Sequence, residues 1–281
     1  MGRILWLASY PKSGNTWVRV FLANLLIGDG NAPVALDRLG EATLSESGTT
    51  GFARFDDRPW TEWSHDDIAA MRPRVQERIA STGDGAVPVK THSAFVMAKG
   101  APVINMAVTS GVVYIVRNPL DVAISYADHQ GLGVDAIIGI MATDMFRTPT
   151  NEHNVFEVMG SWTQHVRSWT GSSSPMLHIM RYEDMLADPE PVFTRLVSFM
   201  RIGADDAAVR RAVDLSSFDR VRAQETSEGF RERTPAQAHF FRSGKAGQWR
   251  DRLTRDQVAR IVGDHREQMA RFGYCPGDEA T

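Results

Sequence analysis

The stretch ILWLASYPKSGNTWVRVFLANLLI, residues 4–27, constrains the fold more than any other part of the chain. A short apolar run breaks into SYPKSGNT and then turns amphipathic from Trp17 to Ile27, the pattern of a strand, a glycine-containing loop and a helix. A helix N-terminus reached through such a loop presents unsatisfied backbone N–H groups and the positive end of the helix dipole, and both favour an anion. The loop is not G-x-x-x-x-G-K-[ST], because Lys12 precedes Gly14. Gly14 allows close backbone approach and Lys12 supplies a point charge. Ser13 and Thr16 add hydroxyl donors, and Trp17 is placed to stack on an aromatic base. The plainer alternative is a tight turn between strand and helix with an exposed lysine and a core tryptophan.

Three further runs have strand character: residues 87–91 (VPVKT), 112–116 (VVYIV) and 176–180 (MLHIM). Largely apolar runs of this length suit strands buried on both faces of a parallel sheet. After VVYIV comes RNPLDVAISYADH, where Asn118 can N-cap a helix and Pro119 occupies its first turn. After MLHIM comes RYEDMLADPEPVFTRLVSFM, with Val192, Leu196, Val197 and Met200 at helical spacing. This alternation predicts an α/β fold with parallel strands. Residues 28–86, rich in Gly, Asp, Thr and Ser, and residues 129–160, with no sustained period, read as lids or acceptor-site insertions around the sheet. Within the first of them Ser64 and Asp67 form a capping-box pattern that starts a helix. Residues 214–249 contain the polar RVRAQETSEGFRERTPAQ and read as a long loop, and 251–272 has good helix formers.

At 281 residues the chain can bury a full core, and one domain over 1–281 is expected. Its 43% hydrophobic and 23% charged residues are those of a globular protein, and the net charge of −3 gives no pull toward nucleic acid. A single cysteine, Cys275, rules out an intrachain disulfide and a cysteine metal cluster. No stretch approaches the ~18 apolar residues of a membrane span. The expectation is a soluble, cytoplasmic protein with neither membrane nor nucleic acid as partner.

In an α/β sheet, ligands sit beyond the carboxyl ends of the strands. Those ends deliver Lys90 and His92, then Arg117 with Ser125 two helical turns past Asn118, then Arg181 and Tyr182. No acidic cluster to hold a metal accompanies them. A histidine beside a lysine can stay neutral and act as a general base. Arg117 either faces the ligand or pairs with Asp121 four residues on. Farther along, FFRSGKAGQW (residues 240–249) places Arg242 and glycine-flanked amides in a second anion nest. Its alternative is a flexible loop anchored by Trp249. Two separated anion sites suit a ligand with phosphates at both ends of a nucleoside.

Taken in order, Y-P-K-S-G-N-T-W, K-T-H, R-N-P-x-D-V-x-x-S, Y-E-D and R-x-G-x-x-G-x-W resemble the PAPS-dependent sulfotransferases of the cytosolic type, in a bacterial-like version. PAPS is 3′-phosphoadenosine 5′-phosphosulfate, and PAP is the product left after transfer. The motifs cover nearly the whole chain. The resemblance implies a P-loop-like three-layer fold with a central parallel sheet flanked by helices. It implies that Lys12 contacts the bridging oxygen and the 5′-phosphate, which Ser13, Gly14, Asn15 and Thr16 cradle, and that Trp17 stacks on the adenine. Lys90 would stabilise the sulfuryl group in transfer, and His92 would take the proton of the acceptor hydroxyl. Arg117 and Ser125 would bind the 3′-phosphate, with Arg242, Ser243 and Gly244 closing over it; Lys12, Lys90, His92 and Ser125 form the catalytic set. Tyr182, Ser216 and Phe218 would touch the adenine. Two departures stand out. Ser243 occupies the place of a common family lysine, with Lys245 next door, and WRDRLTRDQVAR has no clear match to the family's C-terminal dimer motif, the route by which the resemblance would imply a homodimer.

Sulfuryl transfer resembles phosphoryl transfer, with an in-line, loose transition state, and no metal is expected. The competing readings are a nucleotide-dependent kinase, which needs Mg²⁺ ligands, and a non-catalytic nucleotide-binding module on the same fold. The acceptor is a small-molecule hydroxyl compound: an alcohol, a phenol, a sugar or a natural product. Phe52, Phe55, Trp60, Trp63, Tyr126 and Phe146 either line its pocket or pack the insertions onto the sheet.

Overall fold

Residues 4–8 have side chains suited only to burial, and they form the middle of β1 (Arg3–Ser9), in which every residue after Arg3 is buried. The computed structural model describes residues 3–277. After β1 come α1 (Asn15–Leu26), α2 (Leu39–Ala42), β2 (Leu44–Ser45), α3 (Thr49–Phe52), α4 (His65–Ala80) and β3 (Ala86–Thr91). A small pair, β4 (Met97–Ala98) and β5 (Ala101–Pro102), precedes β6 (Thr109–Val116), α5 (Pro119–Gln130), α6 (Val134–Ala142), α7 (Trp162–Thr170) and β7 (Leu177–Arg181). The remainder is helical: α8 (Tyr182–Ala187), α9 (Pro189–Met200), α10 (Asp206–Leu215), α11 (Phe218–Glu228), α12 (Trp249–Arg252) and α13 (Arg255–Arg271).

Five strands form one parallel sheet in the order β2-β3-β1-β6-β7. β1 runs beside β3 in a register that sets Ile4 against Val87 and Ala8 against Thr91. The strand order reverses at β1, where α/β sheets open a crevice at their carboxyl ends. The four strand-like runs of the sequence correspond to β1, β3, β6 and β7. β2 was not legible, because two residues carry no pattern; its pairing of Leu44 with Val89 makes it the edge of the sheet. β4 and β5 pair antiparallel, apart from the main sheet.

The chain divides into two units. The first gathers the residues up to 10 with 44–114 and 143–179, and the second gathers 11–43, 115–142 and the residues from 180 onward. In the first unit α4 starts as expected, with Ser64 and Asp67 exchanging capping-box hydrogen bonds. Beneath it lies a buried ion pair between Arg72 and Glu46, 2% and 0% exposed. Arg72 also donates to the carbonyl of Phe156 at 2.6 Å and lies 5.6 Å and 5.3 Å from the ring centroids of Phe52 and Phe156. Glu46 accepts from the hydroxyls of Thr91 and Ser93, each at 3.2 Å. Burial pushes the Glu46 carboxyl up, and Arg72 opposes that shift.

In the second unit Val20 and Ala23 of α1 share a core with Val34, Leu36, Leu39, Val221 and Phe230, against which Phe240 and Phe241 pack. One expectation needs correction here. The polar stretch read as a long loop over 214–249 begins as α11, whose apolar stripe is so thin that only Val221 and Glu225, one turn apart, are buried. Residues 129–160 contain α6, where Ile137, Ile138 and Met141 are buried; its nearly continuous apolar run hides the helical period. The helix over Val192, Leu196 and Val197 and the one near the C-terminus are present as α9 and α13.

Removing one member of a buried ion pair leaves the other charge uncompensated, so Arg72→Met should destabilise the chain by about 3–5 kcal/mol. Arg72→Met combined with Glu46→Leu should recover part of that loss in urea melts, and equal melting of the single and double variants would contradict this account.

Candidate functional site

In the second unit, the turn after β1 is built from two residues with left-handed backbones, Lys12 at φ 65° and Gly14 at φ 104°. A side chain at Gly14 would meet the Tyr182 ring, since an added Cβ lies 2.7 Å from its Cδ2. α1 then begins at Asn15 with no side-chain cap and no acid in its first turn, whereas α4 and α13 each carry a full capping box. The first N–H groups of a helix have no intrahelical acceptor; α1 supplies no side-chain cap for them, and the Gly14 carbonyl accepts from Trp17 and Val18 farther along, at 3.0 Å and 3.3 Å. Ser13, 1% exposed, has a hydroxyl without a hydrogen-bond partner among the described residues. A turn with buried donors and a positive helix end is a place for an anion. Asn15 is buried and Thr16 half-buried. Trp17 meets Tyr182 and Phe193 edge-on, at centroid distances of 6.1 Å and 5.8 Å.

Arg117, 7% exposed just past β6, ties this turn to the glycine-rich segment near the C-terminus. Its Nη1 donates to the carbonyl of Lys12 at 3.0 Å and its Nη2 to the carbonyl of Lys245 at 3.2 Å. The guanidinium lies 4.2 Å from the centroid of Tyr182, and its buried Nε has no partner among the described residues. Asn118 caps α5 through Leu120 N–H, as its place before Pro119 predicts. The alternative pairing of Arg117 with Asp121 is replaced by another arrangement: Asp121 accepts from the amides of Gly247 and Trp249 at 2.6 Å and 3.0 Å. Ser125 is half-buried on α5.

Arg242 lies 2.8 Å from the Asp128 carboxylate and donates to Gln248 at 3.0 Å. Ser243 is half-buried beside it. Gly244 has φ 59°, and an added Cβ would come within 2.4 Å of the Phe218 ring. Ser216 is fully buried, and its hydroxyl donates to the carbonyl of Val213 at the end of α10. The Lys12 ammonium lies 3.8 Å from the ring centroid of Phe240. This unit therefore gathers Lys12, Gly14, Trp17, Arg117, Tyr182 and the backbone of Lys245, and separately sets Phe218 against Gly244.

The first unit holds Lys90 and His92, both half-buried at the end of β3. The ring Nδ1 of His92 lies 2.8 Å from the carbonyl of Ser9. A carbonyl only accepts, so in the neutral imidazole Nδ1 carries the proton and Nε2 is the basic nitrogen. The His92 backbone is fixed as well. Its N–H donates to Glu157 at 2.9 Å, and its carbonyl accepts from Nε2 of His165 at 3.1 Å. His165 in turn accepts at Nδ1 from the Tyr114 hydroxyl, 2.8 Å away. Burial, and secondarily the charge of His92, hold the His165 pKa down at about 3. Glu157, His165 and Tyr114 escaped sequence reasoning, since no local motif joins residues so far apart in the chain. Of the aromatic side chains considered for an acceptor pocket, Phe52 and Trp63 are buried with centroids 6.5 Å apart, and Tyr126 is buried in the second unit.

A family model described as a sulfotransferase domain matches residues 3–273. Cytosolic sulfotransferase 17 of Arabidopsis thaliana is 28% identical over 179 residues, 58% of this chain and 50% of that protein, so the chain spans about half the length of that relative. Flavonol 3-sulfotransferase of Flaveria bidentis is 25% identical over 282 residues, 92% of this chain and 78% of that protein. Among solved structures, mouse sulfotransferase SULT7A1 complexed with PAP superposes with a TM-score of 0.60 at 20% identity, covering 99% of this chain and 87% of that one. At such identity the likeness establishes the fold, the P-loop-like α/β fold of sulfotransferases. Among the described residues no helix is long and apolar enough to cross a membrane.

The depressed pKa of His165 carries a pH dependence. The unfolded chain takes up a proton below about pH 6.5, whereas the folded chain does so only near pH 3. Stability contributed by the neutral ring is therefore full above pH 6.5 and falls as the pH drops toward 3, by about 2 kcal/mol at pH 5. His165→Gln, which keeps a donor for the His92 carbonyl, should lose that slope. Urea melts at pH 7 and pH 5 should show the gap between wild type and variant narrowing by about that amount, and a constant gap would contradict a neutral buried His165.

Proposed function

Because the chain belongs to the family of sulfotransferase domains, we propose that it transfers the sulfuryl group of PAPS to a hydroxyl of a small-molecule acceptor. The match of the family model across residues 3–273 carries this reading, and the geometry of each unit fits it. In the second unit, the Ser13 hydroxyl and the Arg117 Nε, each without a hydrogen-bond partner among the described residues, and the start of α1, which has no side-chain cap, are donors suited to phosphate. When bound, PAPS supplies a sulfuryl group whose leaving group is a nucleotide phosphate.

The residues divide the work by chemistry. Ser13, Gly14, Asn15 and Thr16 hold the 5′-phosphate, and Lys12 neutralises charge at the bridging oxygen. Arg117, Ser125, Arg242, Ser243 and Gly244 hold the 3′-phosphate, while Trp17, Tyr182, Ser216 and Phe218 hold the adenine. A loose transition state spreads its charge over peripheral oxygens, so fixed cations such as Lys90 lower its energy. His92 takes the proton of the acceptor hydroxyl at Nε2, and its Nδ1–H bond to the Ser9 carbonyl strengthens as the ring becomes cationic. The named activity of the flavonol relative supports a small hydroxylated acceptor, and the relative named as cytosolic supports a cytoplasmic setting.

Incubation with labelled PAPS and a panel of phenols, alcohols and sugars should give a sulfated product, with transfer insensitive to a chelator. His92→Ala should lower kcat on the order of 10²–10⁴-fold while calorimetry finds PAP affinity close to that of the wild type. Parallel loss of transfer and PAP binding would remove His92 from the role of base.

A further inference from the structure

The segment from Arg242 to Ala246 contains no regular element, yet each of its flanks is held by a buried carboxylate. On one side Glu225 of α11, 3% exposed, accepts from the amides of both Phe240 and Phe241, the latter at 2.9 Å. On the other side Asp121 of α5, 2% exposed, accepts from the amides of Gly247 and Trp249. Gly244 and Gly247, at φ 59° and 77°, turn the chain between the two anchors. Arg117 adds a third tie through the carbonyl of Lys245.

We propose that Asp121 and Glu225 are a pair of positioning residues that preform the Arg242–Ala246 segment for the 3′-phosphate of the nucleotide. The proposal rests on the sulfotransferase reading above and concerns residues that reading does not use. A carboxylate can accept two N–H groups at once, and a buried one is costly unless it does. The protein therefore loses substantially if either flank swings away, so the intervening main chain is held in place before any ligand arrives, while the Arg242 side chain is held by Asp128 and Gln248. Such preorganisation raises affinity by removing the ordering cost from the binding step. An amide cannot replace the carboxylate, because its NH₂ would face a backbone N–H, donor against donor, and strand one buried amide.

Calorimetry of the full chain with PAP and with AMP, which lacks the 3′-phosphate, tests this. The wild type should prefer PAP. Asp121→Asn and Glu225→Gln should each weaken PAP binding by about tenfold or more while AMP affinity changes by less than about threefold, since one stranded amide is worth that much. A purely structural defect would weaken both nucleotides together, with a fall in Tm. Variants that keep the wild-type preference for PAP would overturn the clamp and leave the function intact. A wild type that binds PAP and AMP alike would overturn the functional reading, and the clamp with it. Should the variants not fold, hydrogen exchange on the wild type decides: the amides of Phe240, Phe241, Gly247 and Trp249 should be protected before nucleotide is added, and exchange at open-chain rates would refute preformation.

Discussion

A buried ion removed from water must be met by dipoles held in place, or its solvation cost falls on the fold. This constraint shapes the loops of the chain. Arg117 is met by two carbonyls, Asp121 by two amides and Glu225 by two more. Arg72 is met by a carboxylate and a carbonyl together. Arg117, Asp121 and Glu225 are answered by backbone groups, so each ties down main chain in or beside a loop.

The same constraint explains how a strained turn persists. A non-glycine residue in the left-handed region is disfavoured by roughly 1–2 kcal/mol, and Lys12 occupies it at φ 65°. Its carbonyl accepts from Arg117, and Gly14 leaves room for the Tyr182 ring on which Arg117 also lies. Arginine, aromatic ring and glycine thus form one packed stack. The result is a turn that leads into a helix start with no side-chain cap and buries a Ser13 hydroxyl without a hydrogen-bond partner among the described residues.

In the first unit the imidazole of His92 gains its chemical identity from a carbonyl. Ser9 O makes Nδ1 the protonated nitrogen, so the tautomer follows from where β1 ends relative to β3. Glu157 and His165 grip the main chain of His92 on either side. Those bonds fix the main chain at His92, while the ring itself is oriented by the contacts of its Nδ1 with Ser9.

Local chemistry made much of this legible in the residues alone. The apolar runs became β1, β3, β6 and β7, Asn118 and Pro119 began α5, and Ser64 with Asp67 began α4, because strand burial and helix capping act over a few residues. The turn from Lys12 to Trp17 and the glycines near 244 were visible for the same reason. Other features depended on partners distant in the chain. Asp121 meets Gly247 across 126 positions, and His165 meets the carbonyl of His92 across 73. Neither residue carries a local mark of what it binds. β2 is too short to show a period, and α11 buries too thin a stripe to show one. The sequence by itself determined which short segments become strands, caps and donor-rich turns, since those follow from neighbours within one or two turns of chain. Only the tertiary structure decided which buried carboxylate holds which loop and which nitrogen of His92 is basic, because long-range burial forces those pairings and no local pattern encodes them.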